Sequence, residues 1–467
     1  MKSKPYTGLI IALLLLGVAC VLGLALAQGT ALSVRWTVYL FIVPFAMVIL
    51  TQVRSSYILF LALLGPLILL ENSLISMRPL GPIYVGLSLP LTLLLLGIGW
   101  SRNAVPLPDS KIILLWLVII ALAGIGLGRE TENLQMAGRL YQTLYIQGGL
   151  LLLLGRVLIT GVGDLENLAK ALITVALICA MLQLLFLRTG VPYLQPTYNE
   201  FQLGQATWRY GGPLGNPNSL ANLFAISGSL LLLLFFDTKN RVRRYLIGAL
   251  GVTLISATFI TGSRGGNISM LFGLICVLAF IRGRSPWRVW ALPLLAVTAL
   301  LAAQAIFPET MNKSFERLTG ASDTVRMEIW AATVELLAEF PMGVGLTSEV
   351  YATELNRIRP GFFYANPHSI YLSVIVHMGF LGFLTMATLV GRGLSDGLLT
   401  VRLSGIKSFR PLYAIPAIGL LVFLCGGITE PLFSNGHKLN NVFWLLLGAS
   451  TRIPELVRTP RTTEPVK

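Results

Sequence analysis

Apolar runs close to the 17 to 25 residues that a helix needs to cross about 30 Å of hydrocarbon recur along almost the whole chain. They fall near 8–27, 36–50, 56–70, 83–99, 112–126, 140–159 and 168–187, and then near 219–236, 245–261, 268–281, 289–303, 369–390, 411–425 and 441–451. The pattern predicts about 14 spans, or about 12 if the early runs broken by Gly or Pro do not all cross. The runs are solidly apolar, whereas barrel strands alternate, so a transmembrane barrel is excluded. The expected fold is all-α: one polytopic membrane domain over 1–467, with no internal repeat, built as a helical bundle.

The interval 304–366 is too long for a simple connection and carries a helix signal of its own. Ser322, Asp323 and Thr324 can cap it, and Val325, Ile329, Trp330, Val334 and Leu337 follow at helical spacing up to Phe340-Pro341. This helix is expected to lie on the membrane face with its apolar side down, inside a large outer loop.

Composition sharpens the class. The chain has 467 residues, of which 55% are hydrophobic and 12% charged, and its mean hydropathy is +0.76, values that exclude a soluble globule. Its net charge of +15 does not point to nucleic acid, because Lys and Arg are concentrated in short loops. With a cytoplasmic amino terminus, every strong basic cluster falls inside: Arg241, Arg243 and Arg244; Arg282, Arg284 and Arg288; Arg392, Arg402, Lys407 and Arg410; Arg452 and Arg458. The same parity puts 189–218, the Ser263-Arg264-Gly265 turn, 304–366 and 426–440 outside. Cys20, Cys179, Cys276 and Cys425 lie in or at the ends of apolar runs, so neither a disulfide framework nor a Cys/His metal site is readable. The first run follows Lys2 and Lys4 and reads as a retained signal anchor.

Candidate chemistry sits on the outward side. Arg209 to Asn218 is a Gly-, Pro- and Asn-rich turn in which Asn218 or Ser219 can cap the next span; the plain alternative is a re-entry turn. Tyr193, Tyr198, Phe201, Trp208 and Tyr210 in this loop can stack on sugars or serve as interfacial aromatics. Arg264 lies in a tight turn between two spans, where its guanidinium fork either faces a polar cavity and suits a phosphate or snorkels to the interface. Arg326 falls one turn before Trp330. His368 follows Asn366-Pro367 where a loop meets a span, with Tyr371 on the first helical turn, a position that keeps an imidazole in contact with polar ligands. His377 reads as a packing residue deep in that helix, His437 with Lys438 as an anchor of the last span, and Glu430 in Thr429-Glu430-Pro431 as a weaker candidate. The chain has no Asp-x-Asp and no acid in 28–35, which disfavours a metal-dependent transferase, and no phosphate-binding Gly-x4-Gly-Lys-Ser/Thr.

These motifs, in this order and on this face, resemble the O-antigen ligase and O-antigen polymerase superfamily of bacterial envelope enzymes. Arg209 to Asn218 is similar to its Asn-Pro-Asn turn and Ser263-Arg264-Gly265 to its Ser-Arg-Gly turn. Arg326 to Trp330 with Gly343-Val344-Gly345 is similar to its loop helix and following turn, and Asn366-Pro367-His368 to its histidine motif. The resemblance covers 189–381, with Ser369 standing where the family usually has Asn. It implies a glycosyltransferase in the inner (cytoplasmic) membrane with its active site on the periplasmic face. The donor would be a glycan on undecaprenyl pyrophosphate, and the acceptor either lipid A core or a second lipid-linked glycan. His368 would be the catalytic residue, Arg264, Arg326, Arg209, Asn218 and Tyr371 would bind substrate, and neither metal nor other cofactor is expected. The alternatives are a polymerase with the same donor, a bicarbonate-type transporter, which should carry charged or broken elements at mid-membrane, and a structural scaffold. Single cysteines placed in 189–218 and 304–366 are expected to react with a membrane-impermeant maleimide in intact spheroplasts; labelling only after lysis would invert the topology.

Overall fold

The computed structural model describes residues 53, 55–70, 81–103, 108–130, 134–189, 198–202, 205–281, 286–319, 324–362, 364–403, 411–433 and 438–458. In chain order the helices are α1 (Ser56–Gly65), extended by a π turn over Pro66–Leu70, α2 (Gly81–Asn103), α3 (Ser110–Leu127), α4 (Leu134–Tyr141), α5 (Gln147–Leu158) and α6 (Val162–Thr189). A short antiparallel hairpin follows, β1 (Tyr198–Gln202) and β2 (Gln205–Arg209). Next come α7 (Pro217–Asp237), α8 (Arg241–Ile260), α9 (Arg264–Ile281), α10 (Pro286–Ile306), α11 (Pro308–Thr319), α12 (Thr324–Glu339), α13 (Ser348–Ile358) and α14 (Ile370–Leu403). A turn over Pro411–Ala414 leads into α15 (Ile415–Gly426), and α16 (Leu439–Arg458) ends the described chain.

Each expected span from residue 56 onward coincides with one of these helices, and the two expected in 1–52 lie outside the described residues. Among the described residues, five helices, α3, α6, α7, α8 and α14, are long and apolar enough to cross a membrane, and shorter apolar helices accompany them. The chain is a multi-pass all-α bundle with one small hairpin. α7 is its axis: 21 residues, about 31 Å long, buried along its whole membrane window. It packs against α6, α8, α9 and α15. The cap of α7 is Asn216, whose side-chain oxygen accepts from the backbone N–H groups of Asn218 and Ser219, with Pro217 at the first helical position. The cap thus lies earlier than Asn218 or Ser219, because proline fixes the first turn and leaves the preceding residue extended.

Polar residues gather at the two ends of the bundle. At one end Arg156 and Arg452 both pair with Glu455, Arg243 pairs with Glu166, Arg392 with Asp109, and Ser56 donates to Asp164. The charge-based parity puts its basic clusters on this side. The four candidate motifs lie at the other end.

At the motif end the long segment folds onto the bundle. α12 and α13 pack through Ala332, Leu336, Tyr351 and Leu355, and Thr333 Oγ1 lies 2.7 Å from the Tyr351 hydroxyl. Ile329, Ala332 and Leu336 of α12 are buried on the side that meets α13 and α14, while Val325, Met327 and Val334 remain exposed. The turn after α12 then enters a break in α14. Gly379 has φ +71°, and around it the Val376 carbonyl accepts from Val344 N (2.7 Å) and Gly345 N (3.3 Å), while Phe380 N donates to Pro341 O (3.1 Å). The left-handed backbone requires glycine, and the break frees the groups that the turn satisfies.

Arg129 and Glu130, just past α3, hold this arrangement from the side. Arg129 donates to the Gly343 carbonyl. Buried Glu130 accepts from Leu346 N (2.6 Å), Thr347 N (2.7 Å) and Thr347 Oγ1 (2.8 Å), so a carboxylate occupies the amino-terminal end of α13. Removing it leaves buried donors unpaired, at about 2 kcal/mol or more of local stability. Glu130→Ala is therefore expected to speed hydrogen exchange across 341–350 by about 30-fold. Glu130→Gln, which still accepts, should change it much less; equal exchange in all three proteins would contradict the clamp.

Candidate active site

The site is built around the turn that closes α15. The Gly427 carbonyl accepts from Ile370 N (2.8 Å), which docks the start of α14. A Cβ on Gly265 would run into Thr429 Oγ1 and one on Gly426 into the Asn222 side chain, so the first turn of α9 and the second turn of α7 close on the same 426–430 turn. Glu430 points into this junction with its side chain 3% exposed. Arg326, near the start of α12, reaches it from the long segment, with Nη2 3.5 Å from Glu430 Oε1. Burying a carboxylate costs several kcal/mol unless a cation compensates, which is what brings α12 to this turn.

Arg264 is the first residue of α9. Gly262 turns the chain with φ +63°, and Ser263 caps the helix, its hydroxyl accepting from Gly266 N at 3.1 Å. The expected tight turn is thus a helix start, where the backbone and a guanidinium both favour an anion.

His368 is held unusually. Its φ is +48°, the one non-glycine residue with positive φ among the described residues, a conformation that costs about 1–2 kcal/mol. Two bonds fix it: Asn366 Oδ1 accepts from His368 N (3.0 Å), and Trp330 Nε1 donates to the Pro367 carbonyl (2.9 Å). Burial, with the nearby Arg326 charge adding to it, pulls the imidazole down to about 4. It is therefore neutral at physiological pH.

Tyr371 lies one turn into α14. Its hydroxyl donates to the Leu424 carbonyl (2.9 Å), and its ring lines an apolar cavity of about 240 Å³ between α14, α15 and α16. That cavity begins at Ile370, beside the histidine loop, and runs along α14 past Phe383 and Met386 to Leu394.

Of the candidates, the structure brings Arg264, Arg326, His368, Tyr371 and Glu430 to one end around one turn. Asn218 is there through its backbone, its carbonyl accepting from Asn222 Nδ2 at 3.0 Å. Arg209 closes β2 opposite Tyr198. Tyr210 is corrected as a sugar platform, since it is buried and stacked on Phe186 with ring centroids 4.9 Å apart. His377 is buried in α14 with Nδ1 2.8 Å from the Tyr145 hydroxyl, in keeping with packing; His437 lies outside the described residues. Buried Lys438 donates to the Pro213 carbonyl at 2.9 Å, tying the last helix to the loop before α7. Sequence reasoning did not single out Arg129, Glu130 or the Trp330 bond. Glu130 directly follows a helix end and precedes another acid, Glu132, and only the fold shows which backbone it caps.

Residues 249–387 match the O-antigen ligase family model. The matched region contains Arg264, Arg326, His368 and Tyr371, and it leaves Arg209, Asn218 and Glu430 outside. The resemblance read from the motifs is thus borne out over the O-antigen ligase region. The chain is also 28% identical over 189 residues to the ComP-specific O-oligosaccharyltransferase of Acinetobacter baylyi, covering 38% of this chain and 33% of that protein. It therefore spans about a third of the length of this curated relative.

The His368 environment has a measurable consequence. A lowered value means the neutral imidazole persists as pH falls through 6.5 and is lost only near 4. In ¹⁵N-histidine NMR of the protein in nanodiscs, His368 is expected to titrate near 4. Replacing Arg326 and Glu430 together by Gln removes the nearby cation along with the carboxylate it pairs with, and should move the midpoint upward. A wild-type midpoint at about 6.5 would contradict the geometry.

Proposed function

We propose that the chain transfers a glycan from an undecaprenyl-pyrophosphate carrier to a hydroxyl acceptor on the periplasmic face of the inner membrane, without a metal. The observation that carries this reading is that Arg326, the neutral His368 and the helix start that begins at Arg264 meet at the turn after α15, next to an apolar cavity that begins at Ile370. Arg264 and Arg326 hold the pyrophosphate, and the cavity along α14 receives the first part of the prenyl chain, with the Tyr371 ring in its wall.

In the reaction, the acceptor oxygen bonds to the anomeric carbon as the bond from that carbon to the phosphate oxygen breaks. The electron pair leaves with the pyrophosphate, whose growing charge the arginines stabilise. The acceptor proton goes to His368, and a single displacement inverts the anomeric centre. The imidazole is a weak base while it is buried and the Arg326 charge acts on it. A bound pyrophosphate cancels part of that field, so His368 gains basicity when the donor is in place. Arg209 and Asn218 contribute to donor or acceptor contacts from the loop before α7.

The polymerase reading shares every step and differs only in taking a second lipid-linked glycan, instead of lipid A core, as acceptor. A third acceptor class, a protein hydroxyl, is favoured by one observation: the similarity to a protein named an O-oligosaccharyltransferase. A transporter is less well supported, because the charged motif residues gather at one end of the bundle and not at its middle.

The test is turnover in nanodiscs with a lipid-linked oligosaccharide, scored for carrier release and for product on lipid A core, on a second lipid-linked glycan and on a protein acceptor. His368→Ala is expected to lose roughly 10²-fold or more. Arg264→Lys and Arg326→Lys keep the charge but lose the bidentate fork, and should also fall steeply. Arg326→Ala also removes the ion pair with Glu430, so Lys is the informative change there. Near-normal turnover by His368→Ala, or strict dependence on Mg²⁺, would contradict the mechanism.

A further inference from the structure

We propose that Trp330 is a positioning residue that sets His368 in its reactive place and fixes its distance from the phosphate-holding Arg326. This rests on the reading of His368 as the base.

The two bonds that hold the histidine loop differ in kind. The Asn366 contact is local, two residues back along the same loop, and shapes the turn wherever the loop goes. The Trp330 contact comes from another element: an indole N–H on α12 donates to the Pro367 carbonyl, the peptide that leads directly into the left-handed His368. An indole has one donor and no acceptor, and its ring has few rotamers, so the bond fixes direction as well as distance. Pro367 is buried and Trp330 half-buried, so the bond is sheltered from competing water.

Trp330 lies four residues after Arg326 on α12, one helical turn away on the same face. One rigid turn therefore carries both the guanidinium assigned to the leaving group and the anchor of the base. α12 is held in turn by α13 and by the insertion of 341–345 into the α14 break, so neither end of this strut is free to drift. The charged group that acts on the imidazole is Arg326 from α12, which is itself paired with Glu430 from the turn after α15; Arg264 begins α9, whose first turn meets that same turn. If the Trp330 bond is lost, the strained backbone at His368 relaxes, and the ring leaves its half-buried place beside Arg326.

Trp330→Phe removes the N–H and keeps an aromatic ring. In the nanodisc assay it is expected to lower kcat roughly tenfold while donor KM stays within about twofold, since the arginines remain. The acid limb of its kcat/KM profile, which reports the free protein, should move upward from the wild-type position near 4 toward 6.5. An activity-independent readout accompanies it: carbethoxylation of His368 by diethylpyrocarbonate, followed by mass spectrometry, should be several-fold faster in Trp330→Phe. If Trp330→Phe fails to fold, Asn366→Ala, which loosens the same loop from its other side, should shift kcat, the acid limb and the labelling in the same directions. Wild-type kcat and labelling in the variant, or a raised donor KM with unchanged kcat, would overturn the proposal. Faster labelling in Trp330→Phe together with normal turnover in His368→Ala would leave the tether standing and remove the histidine from the chemistry.

Discussion

A carboxylate buried at the end of a membrane helix must find a cation. Glu430, almost wholly enclosed in the turn after α15, draws Arg326 down from the long segment. Arg326 brings α12, α12 brings Trp330, and Trp330 holds the peptide before His368. The same turn receives the start of α14 through the Gly427 carbonyl and touches the starts of α9 and α7 through Gly265 and Asn222. Motifs more than a hundred residues apart in sequence meet because each lies at the start of a helix whose amino-terminal end packs on that one turn.

Small residues make the approach possible. With lipid outside, helices gain little from hiding apolar side chains from water, and close association depends on dense packing and satisfied polar groups. The glycine of the Ser263-Arg264-Gly265 motif is therefore a packing requirement, since any Cβ there would strike Thr429. The arginine beside it gains its position from that contact. What looks in sequence like a single functional tripeptide divides into a cap at Ser263, a charge at Arg264 and a contact at Gly265.

Much of this was legible before the structure. Continuous apolar runs give membrane helices almost directly, because length and composition alone decide whether a segment can cross. Spans such as 112–126 and 219–236 lie within the observed α3 and α7. The shared end of the motifs was legible too, since basic residues mark the other end. Three things were not. The break in α14 at Gly379 is invisible in an apolar run, because its freed backbone groups are satisfied by a turn more than thirty residues earlier. The protein-facing side of α12 is not readable locally, because Ala332 and Leu336, which pack on α13, carry no stronger apolar signal than Val325 and Val334, which are exposed. The Glu130 clamp and the Trp330 bond are long-range side-chain-to-backbone contacts, which no local pattern announces.

The central claim is that one anion site, shared by α9 and α12 and opening onto the α14 cavity, receives the carrier pyrophosphate. The most direct measurement is a cryo-EM map of the protein in nanodiscs with an unhydrolysed lipid-linked donor. The account predicts pyrophosphate density between Arg264 and Arg326, within hydrogen-bond reach of both guanidiniums, with prenyl density entering the cavity beside Tyr371. Density bound at the opposite end, among Arg156, Arg243 and Arg392, or a donor that leaves Arg326 paired to Glu430 and untouched, would contradict it.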